Sequence, residues 1–138
     1  MATALERFVQ VLGYPGSVPA GARTFTLVVD GGEIEAEERD GRLVLTKALC
    51  SAEGGEEGSP DLAVLAGYAA GRMLKEEAVL AWDAVREVPI LWQDVAAGGD
   101  AAQFRRFFEV FAASCDWWEA RVREVQDHRR VPEMMIVP

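Results

Sequence analysis

Leu5, Phe8, Val9 and Leu12 recur at i, i+3, i+4 and i+7, which predicts a helix with one apolar stripe at the start of the chain. Thr3 and Glu6 are spaced for a capping box at its first turn, and Gly13, Pro15, Gly16, Pro19 and Gly21 end it in a loop. The period then changes to two. Segments 23–30, 33–39 and 42–49 alternate apolar and polar residues and are separated by Gly31-Gly32 and Asp40-Gly41, both favoured two-residue hairpin turns. With those turns Leu27 falls opposite Ala36, and Ala36 opposite Leu45. Phe25, Leu27, Val29, Ile34, Ala36, Leu43 and Leu45 then share one face, leaving Thr and Glu on the other.

Segment 51–59 is acidic, Gly-rich and aperiodic, and reads as a flexible loop. Ser59 with Pro60 marks the start of a second helix over 62–74, apolar almost all round with Arg72 as its only charge, so it must be covered on both sides. On a helical wheel Leu62, Leu65, Ala66, Ala69 and Met73 form the face suited to the domain's own core. Ala63, Gly67 and Gly71 lie opposite, flanked by Val64, Tyr68 and Leu74. Each interior glycine costs about 1 kcal/mol relative to alanine, and close approach of another element, the domain's own sheet or a second copy, would compensate.

Two more strands are predicted at about 78–84 and 89–95, with Pro89 near a strand start or an edge. Asp100 and Gln103 cap a last helix in which Phe104, Phe107, Phe108, Phe111, Cys115, Trp118, Val122 and Val125 keep a 3-4 spacing. The fold class is therefore α+β, in the order α-β-β-β-α-β-β-α. A single domain (1–128) has an antiparallel sheet packed by helices, followed by an apolar C-terminal tail (129–138).

A chain of 138 residues, half of them hydrophobic, suits one domain. With 23 acidic against 14 basic residues its net charge is −9, opposite to the footprint that nucleic acid or an anionic membrane requires. No apolar run approaches the roughly 20 residues of a membrane span, and Glu6 and Arg7 break any signal-peptide pattern, so a cytoplasmic location is expected. Cys50 and Cys115 are then expected as reduced thiols. His128 has no ligand partner at metal spacing, and no nucleophile elbow, Walker loop or dinucleotide loop occurs. The acidic runs Glu33/Glu35/Glu37/Glu38 and Glu53/Glu56/Glu57 read as solvated surface. The expectation is no enzyme: no catalytic residue, no cofactor and no metal.

The segments "ALERFVQVLG", "TFTLVVDGGEIEAEERDGRLVLTKAL", "DLAVLAGYAAGRML" and "FFEVFAASCDWWEARV", in that order, resemble the class I chaperones of bacterial type III secretion, the Tir-chaperone family, over about residues 3–126. The resemblance implies a cytoplasmic homodimer that binds the N-terminal region of a secreted effector and keeps it non-globular and ready for export. It also implies a dimer seam on the second helix, at Ala63, Val64, Gly67, Tyr68, Gly71 and Leu74, and on the strand after it. The long acidic loop and the apolar tail depart from the family pattern. Effector contacts are expected where apolar residues break polar surfaces: Val11 and Tyr14, off the first helix's stripe, and Val28 and Val44 on the polar sheet face. The bland alternative is isolated surface residues. Competing functions are a regulator titrating another component of the secretion switch, a small ligand-sensing domain walled by the aromatic last helix, and an enzyme using the acidic strand.

Overall fold

Helix α1 (Ala4–Leu12) begins where Thr3 Oγ1 accepts the Glu6 N–H at 3.1 Å, a cap that stabilises a helix by about 1 kcal/mol. It stops at Gly13, which takes the left-handed conformation (φ +67°) and turns its N–H to the Gln10 and Val9 carbonyls. The computed structural model describes residues 2–30, 32–50, 62–72 and 76–136, with side chains through Val125 other than Leu62. The loop 51–59 and the helix start at Ser59 and Pro60 lie outside the described residues, as do the side chains of Leu62, Met73, Leu74 and His128.

Strands β1 (Thr24–Val29), β2 (Gly32–Arg39) and β3 (Arg42–Ala48) form the expected meander. The second hairpin matches its expectation: Ala36 faces Leu45, and Asp40 and Gly41 both have the positive φ of a type I′ turn. The first differs. Val29 lies opposite Gly32, so the loop is Asp30-Gly31, and Leu27 faces Ile34 where Ala36 was expected. Asp-Gly outcompetes Gly-Gly for this turn, Asp30 adopting φ +50°, and Gly32 joins the ladder. A slip of two residues preserves parity, so every side chain keeps its expected face.

After helix α2 (Leu62–Arg72) come β4 (Val79–Asp83) and β5 (Val88–Ala96), the sheet order being β1-β2-β3-β5-β4, antiparallel throughout. At the β4–β5 corner the Asp83 carboxylate accepts the Val85 and Arg86 N–H groups and pairs with the Arg86 guanidinium, which holds its pKa below the usual value. Pro89 sits at the second residue of β5. Helix α3 (Ala101–Ile136) opens with the reciprocal Asp100–Gln103 cap, both bonds 2.8 Å, and continues through residues 129–136 of the expected tail.

The core lies between the sheet and helices α1 and α3. Leu27, Ile34, Ala36, Leu43, Leu45 and Leu91 rise from the sheet to meet Phe104, Phe107, Phe111, Cys115, Trp118 and Val122, all buried. Phe8 is the knot: its ring lies 5.8 Å edge-on from Phe104 and about equally close to Phe107 and Phe108. Beside it, the Arg7 guanidinium donates to the carbonyls of Ala97 (2.5 Å) and Gly99 (3.1 Å), tying the first helix to the start of the last.

Candidate partner-binding surfaces

The β1 side of the sheet unites two of the four residues expected to contact a partner. Past Gly13 the chain folds back so that the Tyr14 ring packs edge-on against Phe25 (5.7 Å) and its hydroxyl accepts the Val28 N–H at 3.1 Å. Tyr14 is thereby half-buried, and Val11 is half-buried against the core as well, a correction to their expected exposure: Tyr14 is drawn in by its contacts to β1, and Val11 packs against the core cluster. Val28 is 56% exposed on the outward face. Val44 lies apart from them on β3, half-buried between Glu37 of β2 and Asp94 of β5. Glu33 and Glu35 are exposed on the same outward face, and Glu37 is engaged by Arg39.

Helix α2 presents the second candidate surface. Leu65 is fully buried and Ala69 packs against the core, as the wheel implies. Two positions are corrected: Ala66 is exposed, whereas Tyr68 turns inward, edge-on to Trp117 at 6.0 Å. Ala63, Val64, Gly67, Ala70 and Gly71 are exposed, making a bare face of small and apolar residues. A Cβ added at Gly67 or Gly71 would meet nothing within 4 Å, so packing on the chain's own sheet does not account for these glycines among the described residues. Val79 and Trp82 of the edge strand β4 are also exposed.

A polar cluster that pattern reading missed fastens α2 to α3. The Arg72 guanidinium lies 3.8 Å over the Trp117 ring and donates to Glu76 Oε2 at 2.6 Å. Glu76 Oε1 in turn accepts the Trp118 Nε1–H at 3.0 Å. The signal was present in the sequence: Arg72 is the one charge in an apolar helix, and Glu76 follows it at i+4. Also on α3, Glu119 pairs with Lys47 of β3 at 2.5 Å, both partly buried.

The remaining chemistry is quiet. Burial pushes the Cys115 thiol up to about 12, and the half-buried Cys50 thiol is also raised by burial; among the described residues the two form no disulfide. The aromatic face of α3 proposed as a pocket wall packs into the core through Phe104, Phe107, Phe111 and Trp118. Among the described residues no group of three metal-ligating side chains occurs, and no helix is long and apolar enough to cross a membrane.

No known protein-family profile and no curated protein matches the sequence. Solved structures do match the fold. A chain of the HopA1-SchA chaperone-effector complex aligns over 85% of this chain and 91% of its own, with TM-score 0.63 and 17% identity. A chain of the heterodimeric ExoU-SpcU complex from the type III secretion system of Pseudomonas aeruginosa aligns over 84% and 95%, with TM-score 0.62 and 16% identity. YbjN of E. coli, proposed to be a transcription regulator, aligns over 91% and 90%, with TM-score 0.51 and 13% identity. At such identities the likeness speaks for architecture alone: the chain has a type III secretion chaperone-like fold.

Proposed function

We propose that this chain is a cytoplasmic, non-enzymatic chaperone of a type III secretion system. It binds the N-terminal chaperone-binding region of a secreted effector and keeps that region non-globular and export-competent. The observation that carries the reading is likeness along nearly the whole fold to a chain of a chaperone–effector complex and to a chain of a heterodimer from a type III secretion system. Val11, Tyr14, Val28 and Val44 are assigned to the effector. The bare face of α2, with Ala63, Val64, Gly67 and Gly71, is assigned to a two-fold seam between copies, along with Leu74 and the outer rim of Tyr68. The bare face supports this, because among the described residues the two glycines of this exposed helix face have no packing partner.

The test is affinity capture of the tagged full chain from the source cells, followed by native mass spectrometry. The expected result is a complex of two copies with one secreted protein, mapped by limited proteolysis to that protein's N-terminal region. Recovery of a monomer with no secreted protein overturns the reading. A second reading is a regulatory protein of this fold titrating another component of the secretion switch; the YbjN likeness favours a regulatory role and carries nothing about secretion. Capture of a non-exported regulator in place of an effector selects that reading.

A further inference from the structure

In a chain of net charge −9, two arginines converge on a single indole where α2 meets α3. The Arg72 and Arg121 guanidinium carbons lie 3.8 and 5.0 Å from the Trp117 ring centroid. Two like charges this close repel, and their contacts with the ring offset only part of that. The acids beside them are already committed. Glu76 divides its carboxylate between Arg72 Nε (2.6 Å) and Trp118 Nε1 (3.0 Å), and exposed Glu124 accepts from Arg121 Nη1 (3.2 Å). Among the described residues no hydrogen-bond acceptor meets the terminal nitrogens of Arg72, and Arg121 Nε is buried without one. A buried donor lacking an acceptor is costly, and an incoming carboxylate satisfies it.

The donors are also held in place. Arg72 closes α2, and its carbonyl accepts the Glu76 N–H at 3.0 Å while its side chain donates back to the same residue. Stacking on Trp117, itself edge-on to Tyr68, fixes the guanidinium plane, so its two terminal nitrogens form a rigid fork. The Arg72 and Arg121 side chains are 34% and 29% exposed, dry enough to strengthen a charge-assisted bond and open enough to be reached.

We propose that Arg72, Trp117 and Arg121 form a receptor for the carboxylates of an acidic peptide segment. The Arg72 fork takes one carboxylate through two parallel hydrogen bonds, and Arg121 takes a second through Nε and its remaining terminal nitrogen. Two acids a few residues apart therefore fit the site, and a lone carboxylate fills half of it. This chemistry has two sources: the chain's own Glu53, Glu56 and Glu57, from the same or a second copy, and an acidic stretch of another protein. The inference stands whether or not the chain is a chaperone.

The probe is a synthetic peptide with the sequence of residues 51–59, titrated against the full isotope-labelled chain while NMR follows the Trp117 indole N–H. A saturable shift is expected, roughly tenfold weaker for the same peptide with glutamine in place of each glutamate. Arg121→Lys keeps the charge, loses the fork, and should weaken binding roughly tenfold. The glutamine peptide on the wild-type chain keeps the test decisive should that variant fail to fold. Glu56→Gln/Glu57→Gln, set against Glu33→Gln/Glu35→Gln as a control of equal charge, separates the two sources. Tighter peptide binding by the first pair alone makes the chain's own acids the occupant, and equal binding by both makes it a foreign segment. No saturable shift in any of these chains, equal affinity for the glutamine peptide, unchanged binding by folded Arg121→Lys, or tighter binding by the β2 pair alone overturns the proposal.

Discussion

Gly67 holds a helical position where an added Cβ meets none of the described residues within 4 Å, so within one chain alanine there should help. Gly67→Ala is expected to stabilise a monomer by about 0.5–1 kcal/mol through helix propensity. In a two-fold seam the same methyl enters the contact twice. A rise in melting temperature together with a weaker dimer in sedimentation equilibrium is the expected pair of results. Gly67→Glu should give a folded monomer by light scattering that no longer retains effector, because the side chain has room in the chain but none against a second copy. Cys115 offers a different residue-scale readout. Burial raises its thiol pKa to about 12, so folding favours the protonated form. That contribution is complete below the unfolded value near 9 and is lost as pH climbs through it toward 12. Stability to urea should therefore fall above pH 9, and fall less steeply in Cys115→Ala. In the native protein at neutral pH this thiol should resist alkylation until the chain unfolds.

Elements were readable to the degree that polar residues gave their pattern a phase. The strands alternate strongly, so the sheet face was fixed even though the first turn was placed one residue late; the error cost two positions of register and no change of side. Helix α2 has no such phase. With one charge in eleven residues its wheel could be rotated, and the charge that breaks the tie points inward, onto Trp117, which exchanged the expected places of Ala66 and Tyr68. The partner surface on β1 was only half readable for a related reason: Val28 stands out in the alternation, but an open edge and the tyrosine covering it belong to strand order, which periodicity does not encode. The Arg72–Glu76–Trp118 chain is expected to govern how firmly α2 lies on α3. Trp118→Phe keeps an aromatic ring but leaves a small void and the mostly buried Glu76 carboxylate short of a donor, the lost hydrogen bond alone costing about 1–3 kcal/mol. Hydrogen exchange should show the α2 amides opening faster, with those of β2 and β3 little changed.

At the scale of the whole molecule, charge sets the response to salt. Two copies at −9 each bring a formal −18 together, so the proposed dimer should tighten as salt rises to ~0.5 M and screening shortens the reach of the repulsion. Sedimentation equilibrium would give the sign; a dimer that loosens with salt would mean that repulsion between the copies does not govern the contact. The fastening of the first helix to the last has a consequence for how the protein is made. Arg7 bonds to carbonyls 90 and 92 residues further along, and Phe8 is enclosed by rings still later in the chain. At a synthesis rate of about 5–20 residues per second, roughly 5–20 s separate the emergence of that helix from the ribosome and the arrival of its cover. Throughout that interval Leu5, Phe8 and Val9 lack this cover on the nascent chain, so the core closes only once the last helix has been made.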